Sequence, residues 1–547
     1  MSVERHTDRR ASSLISGRRC AAAVGRPLCG LLAAAVTGVF AQSNNEPYGI
    51  GGSGLTIRDL AARKNGEQQG RSFYMNPTLG VSGTLTNNVN LTTNKKSDFI
   101  LGVTPGIQLG GQSARVRGFL NYSLNANFYA SDQGKTQFNN NLAAQANVEA
   151  IENWMFVDAS ASITQQYINP FGTQSSNASL NNGNQTQVTS VRISPYVAGQ
   201  LGGQVNYLGR LFYSGTNSGT SQASNSSVWG GLLSFDSTTR WSRLSWGLDF
   251  SYREAAFSDT RTEFDQLNIA SLTYAVTPDL KLTGRGNVET SNLVSIDSET
   301  NTGWGLGLRW NPSPRTNLVL EYDQRIFGSS HLYSFFYFAP RSVWAISSVQ
   351  RLSTGQFGTG VGATGGSTFD VLFAQFSTIE PDPVARAQLV NAFIQANNLD
   401  PGSSVGTNFL PSQVTLENNN EASVALQGTR STVIFSVFQT EARALSSALL
   451  NPDNNLSGGN VITWLGGGVN WAHRLTPRDS LVLNVRTRRT TESVGNESST
   501  LWSGLATWSR QLAPRATMSV SARYQNLNST TSPYTEAALL ATLYMQF

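Results

Sequence analysis

The last eleven residues, Ala537-Ala538-Leu539-Leu540-Ala541-Thr542-Leu543-Tyr544-Met545-Gln546-Phe547, carry an apolar side chain at every second position counted back from Phe547. Met545, Leu543, Ala541, Leu539 and Ala537 therefore share one face of a β-strand. Chain ends normally fray into water, so an apolar strand closed by an aromatic ring needs a greasy surface beside it. The same alternation recurs upstream. Phe99, Leu101, Val103, Ile107 and Leu109 form one set, and Val116, Leu120, Tyr122, Leu124 and Phe128 the next. Leu244, Trp246, Leu248, Phe250 and Tyr252 form another, as do Trp304, Leu306, Leu308 and Trp310. No apolar run reaches the roughly 18 residues of a membrane helix. The pattern is the dyad of a transmembrane β-barrel. A soluble sandwich also alternates, but it rarely needs so many strands and buries its apolar face against a second sheet.

The connections agree. Thr277-Pro278-Asp279, Ser313-Pro314-Arg315, Thr476-Pro477-Arg478 and Ala513-Pro514-Arg515 read as tight turns, with proline presetting φ. Pro278 to Pro314 spans 36 residues and Pro477 to Pro514 spans 37, the length of an up-strand, a loop and a down-strand. The opposite connections, such as Asn169 to Thr186 and Ser214 to Ser227, are longer and rich in Asn, Ser, Thr and Gly. Short turns on one side and long loops on the other predict an all-β, antiparallel outer-membrane β-barrel of about 22 strands (18–22) over residues 72–547. Phe547 and the alternating residues before it are the expected signal to the barrel-assembly machinery.

Upstream of the barrel, residues 1–41 carry six arginines, an apolar run from Leu28 to Phe40, and Val39 and Ala41 placed for a cut before Gln42. This reads as a secretory signal peptide, too short in its apolar part to span a membrane. Residues 42–71, polar and Gly-rich, read as a flexible periplasmic segment. Of 39 basic and 34 acidic residues, six and two fall in the signal, leaving 33 against 32. That balance gives no nucleic-acid surface. Cys20 and Cys29 lie in the signal, and only His331 and His473 follow it, so disulfides and a histidine metal cluster are not expected. No catalytic constellation and no cofactor motif stands out. Gly360-Val361-Gly362-Ala363-Thr364-Gly365 has dinucleotide-loop spacing but no βαβ context.

Residues 352–420 break the alternation. A Gly-rich run leads into a helical reading of two short helices, Phe369 to Phe376 and a segment to Asn397 opened by Asp382 as N-cap and Pro383. Leu389, Val390, Phe393 and Ile394 make one apolar stripe on the second. The insert reads either as a loop packed on the barrel rim or as a gate over the pore. Strand parity gives a lumen as well. If the apolar partners face outer-membrane lipid, Lys281, Arg285, Glu289, Arg309, Glu321, Asp323, Arg325, Arg486, Arg488 and Arg523 point inward. Two readings follow: charges that pair across a polar interior, or a pore lining suited to a hydrated polar solute.

Several runs resemble a known family. These are Lys96-Ser97-Asp98-Phe99-Ile100 through Thr104-Pro105-Gly106-Ile107, Asn121-Tyr122-Ser123-Leu124, and Trp154-Met155-Phe156-Val157-Asp158-Ala159-Ser160-Ala161. Phe373-Ala374-Gln375-Phe376 with Pro381-Asp382-Pro383-Val384-Ala385-Arg386 is the most specific. The chain resembles the outer-membrane β-barrel proteins associated with PEP-CTERM/exosortase systems. The resemblance implies a bacterial outer-membrane location near exopolysaccharide loci, with exopolysaccharide and periplasmic export components as partners. It brings no catalytic residues. The functions left open are an export channel, a glycan- or partner-binding scaffold and, third, an outer-membrane enzyme.

Overall fold

A computed structural model of the protein describes residues 72–131, 136–175, 180, 182–220, 224–238, 243–258, 260–353, 413–445 and 460–547. The described residues form 22 strands. The first eight are β1 (Ser72–Thr86), β2 (Asp98–Gln112), β3 (Val116–Tyr129), β4 (Thr136–Ile151), β5 (Met155–Tyr167), β6 (Gln185–Leu201), β7 (Val205–Ser218) and β8 (Ser226–Thr238). Next come β9 (Leu244–Phe257), β10 (Glu263–Ala275), β11 (Leu280–Ser291), β12 (Glu299–Ser313), β13 (Thr316–Arg325), β14 (Gly328–Ala339) and β15 (Ser342–Ser353). The last seven are β16 (Thr415–Gln427), β17 (Ser431–Ala444), β18 (Val461–Arg474), β19 (Asp479–Glu492), β20 (Ser498–Ala513), β21 (Ala516–Ser529) and β22 (Tyr534–Gln546).

Each strand pairs antiparallel with its neighbours in sequence, and β22 returns to β1, with Thr78 opposite Gln546 and Thr86 opposite Ala538. Closure removes every sheet edge. The Phe547 amide donates to the Pro77 carbonyl at 2.9 Å, extending the seam by one bond. Because side chains alternate, this register sends Leu539, Leu543 and Phe547 outward and Leu540, Thr542 and Tyr544 inward. Outward residues stay exposed, as Leu306 at 60% and Leu539 at 59% show, which only a lipid surface would tolerate around a whole barrel. Trp246, Tyr252, Trp304, Trp310 and Trp508 share that outer face. Trp229 with Tyr252 (5.2 Å between centroids) and Trp304 with Tyr322 (5.8 Å) pair there as interfacial girdle residues do.

All four proline turns lie at the end that holds Ser72 and Phe547. The residue before each proline explains three of them. Thr277 Oγ1 accepts from the Leu280 amide (3.0 Å), Ser313 Oγ from Arg315 (3.2 Å), and Thr476 Oγ1 from Arg478 (3.1 Å) and Asp479 (3.0 Å). The opposite end is the mouth. One connection there departs from the long-loop expectation: β13 and β14 are joined by Ile326 and Phe327 alone. Gly328, at φ +109°, permits the tight reversal, and both apolar residues fold inward.

Candidate functional site: the lumen and the loop across its mouth

The ten charged residues expected to point inward all lie on the inner face. Most of them pair with one another. On β9 to β13, Arg325 Nε and Nη2 donate to the two oxygens of Glu289 at 2.7 and 2.8 Å. Arg325 and Arg253 flank Asp265 at 3.6 and 3.7 Å. Arg285 meets Asp323 at 3.0 Å and Glu321 at 3.2 Å, and Arg309 meets Glu321 at 3.7 Å. On β21 and β22, Arg523 holds Glu536 at 2.8 Å while Thr86 Oγ1 donates to the same carboxylate at 2.8 Å. Arg210 meets Asp158 at 3.0 Å and lies over the Tyr196 ring. Lys281 sits in register with Arg309 near the turn end.

The links from β11 to β13 pass over β12, which separates them by about 9–10 Å. They can do so because the inward positions of β12 are Gly303, Gly305 and Gly307. A Cβ on Gly305 would fall 2.0 Å from Asp323 Oδ1, and one on Gly307 would fall 3.1 Å from Arg285 Nη2. Gly305→Ala should therefore displace Asp323 and cost about 1–3 kcal/mol, as overpacking does. Denaturant titration of the inserted barrel checks this, and Gly286→Ala, where a Cβ meets nothing within 4 Å, is the control.

The loop between β5 and β6 turns inward at the mouth. Its base is tied by Asn184, whose Oδ1 accepts from the Asn169 amide (2.8 Å) and whose Nδ2 donates to the Asn169 carbonyl (2.8 Å). Beyond that base, Phe171 and Leu180 are fully buried. Phe171 packs with Ala442, Ile462 and Trp464 on the inner faces of β17 and β18. Its carbonyl accepts from Ser529 Oγ and Thr531 Oγ1, each at 3.3 Å. Tyr534 donates its hydroxyl to the Gln174 carbonyl, and Arg488 donates to Gln174 Oε1. Gln525 Nε2 donates to Ser175 Oγ at 3.3 Å. Leu180 joins Val89, Leu91, Ile100, Tyr129, Leu527 and Tyr534. Counted through β1 and β22, β17 lies ten strands from β5 in a ring of 22, so this loop crosses the mouth rather than lining its own wall.

A second buried cluster covers the other side of the mouth. Phe257, Leu293, Phe327, Leu352, Val414 and Leu416 belong to it, and Val414 donates its amide to Glu263 at 2.9 Å. Leu445 packs against this cluster while its neighbour Ala444 packs against the Phe171 cluster, so the two meet near β17. Leu389, Val390, Phe393 and Ile394, the expected gate, lie outside the described residues. His331 and His473 face outward and bond Ser348 (2.9 Å) and Ser431 (2.7 Å).

The chain is a large β-barrel of outer-membrane type. No protein-family model and no curated protein matches it. Solved barrels are similar in fold. The FrpB iron transporter of Neisseria meningitidis (F5-1 variant) aligns at 10% identity and TM-score 0.46, over 86% of this chain and 82% of that one. The siderophore receptor PirA of Acinetobacter baumannii aligns at 9% identity and TM-score 0.46, over 88% and 81%. OccK5 of Pseudomonas aeruginosa aligns at 7% identity and TM-score 0.30, over 86% and 98%. The sequence reading placed a long polar loop at Asn169 to Thr186 but missed that it folds into the barrel. Its signal was Phe171 and Leu180, two large apolar side chains isolated in a polar run that needs none to join two strands.

Proposed function

We propose that this barrel is an outer-membrane channel for an exopolysaccharide-type chain, with its turns in the periplasm and its mouth outside. The observation that carries the channel reading is the loop at 168–184, folded into the lumen and seated on the opposite wall. Narrowing the passage to about the width of a polymer is what such a loop would do. It carries no charged residue of its own and is anchored by amides, hydroxyls, two apolar side chains and the Arg488 guanidinium of the wall. The inner wall supplies further neutral donors and acceptors that are partly exposed, among them Asn121, Asn141 and Gln145, groups of the kind that hydrogen-bond sugar hydroxyls. The resemblance to the exosortase-associated barrels supports the glycan as cargo and periplasmic export components as partners.

Purified protein in planar bilayers tests the channel. Replacing residues 170–183 with a short Gly-Ser bridge should leave a heat-modifiable barrel and raise single-channel conductance about two-fold or more, since current scales with the open cross-section. A folded variant with unchanged conductance would remove the loop as a constriction. The apolar cluster at the mouth favours a second reading, a scaffold that transports nothing. Absence of conductance in both forms would select it.

A further inference from the structure

We infer that Tyr74 and Phe119 form a stacking platform for the pyranose rings of a glycan chain, at the turn end of the lumen; this rests on the glycan-channel reading above. Where the described strands pair in register, exposed large apolar side chains face the lipid. Tyr74 at 43% and Phe119 at 42% are exposed on the inner face instead. Tyr74 has the parity of Thr86, which bonds Glu536 inside the barrel. It stands opposite Gly110 on β2, and Gly110 stands opposite Phe119 on β3, so the three make one inward row. A Cβ on Gly110 would collide with Cε1 and Cζ of Tyr74, so the tyrosine ring lies across β2 on the side of Phe119. The row spans two strand spacings, about 9–10 Å.

Aromatic surface held bare to water on an inner wall loses the burial that lipid gives the outer rings, and bare apolar surface of this kind marks a place where something binds. The surroundings say what. Gln145 follows Phe119 in the same row, and the next row toward the mouth carries Asn76 and Asn121. These three amides are partly exposed. Arg117, in register with Asn147, is the charged neighbour on the turn side. The rows on either side continue in amides, hydroxyls, charges and alanine, with no aliphatic chain to extend the platform. A wholly apolar solute would meet two rings and nothing further to cover. A small polar ion would have no use for the rings. A sugar ring matches both parts, since its faces carry C–H groups that lie on an aromatic ring and its edge carries hydroxyls that pair with amides. With the turns in the periplasm, the platform is the part of the wall that an exported chain meets first.

The probes are cellotriose and sorbitol, both rich in hydroxyls, of which only the first has ring faces. Each is titrated into the full-length purified barrel and followed by saturation-transfer NMR. Cellotriose should bind about tenfold or more tightly than sorbitol, with transfer strongest to the C–H protons of its ring faces. Tyr74→Ala and Phe119→Ala should each weaken cellotriose about three- to tenfold, the size of one aromatic stacking contact. Tyr74→Phe should keep the affinity, whereas Tyr74→Leu, apolar but not planar, should lose as much as alanine does. Phe73→Ala, on the lipid side of the same strand, should keep all of it. Equal binding of the two probes, or an unchanged affinity in folded Tyr74→Ala and Phe119→Ala, overturns the platform. Should the alanine variants not insert, Tyr74→Leu and the choice between the probes in the native barrel decide. Bilayer conductance is read separately: a barrel that conducts without preferring cellotriose loses this platform alone. One that prefers cellotriose without conducting loses the channel alone.

Discussion

Glu289→Leu should lower the stability of the folded barrel by about 3–5 kcal/mol, the cost of leaving a buried charge without its partner. The carboxylate is 0% exposed and Arg325 is 2% exposed, and the two share a bidentate pair. The Ile326 amide at the tight reversal also donates to Glu289, at 3.0 Å, so the connection at the mouth would loosen as well. Asp265, 3.6 Å from Arg325, can recover only part of the loss, since it is shared with Arg253. Removing both charges, in Glu289→Leu with Arg325→Leu, should be clearly less damaging than the single change. Urea unfolding of the lipid-inserted protein measures all three variants. A double mutant as unstable as the sum of the singles would mean that the pair is not a coupled unit.

Leu248→Arg should cost about 2–4 kcal/mol if the side chain meets the bilayer midplane. Leu248 sits mid-strand on β9 between Phe235 and Ala270, with Trp246 and Phe250 on the same outward face. Asp249→Arg, one residue on, loses the 2.6 Å hydrogen bond from Ser234 but keeps its guanidinium in a polar interior, so it should cost far less. Heat-modifiability and unfolding midpoints compare the two. Similar penalties would show that lipid does not lie against the Leu248 face.

Period-two alternation made the wall legible. Trp304, Leu306 and Leu308 announce which side of β12 meets lipid, and the parity that exposes them also turns Arg309 inward. With a side-chain period of two, a strand offers only two orientations, and the apolar set selects one. Pairing between particular charges was not legible. Arg285 finds Asp323 because β11, β12 and β13 stand in one register and Gly305 leaves the space between them. Neither condition is visible along a single strand. The loop at 168–184 was harder still, because Ala442, Ile462 and Trp464 beside Phe171, and Arg488 and Tyr534 on Gln174, lie more than 270 residues away in sequence. Polar composition correctly marks a loop, yet it does not say whether that loop stands outside or docks within. Phe171 and Leu180 carried the information as two exceptions to the composition.

The same loop lies over the seam where the barrel closes. Leu180 shares a buried cluster with residues of β2, β3, β21 and β22, and Tyr534 holds Gln174 from the last strand. Its seat is therefore assembled from both ends of the chain and does not exist in an open sheet. Until β22 meets β1, Phe171 and Leu180 have no wall to enter and stay exposed. Docking the loop is in this sense the final act of assembly, a latch that can fall only on a finished ring.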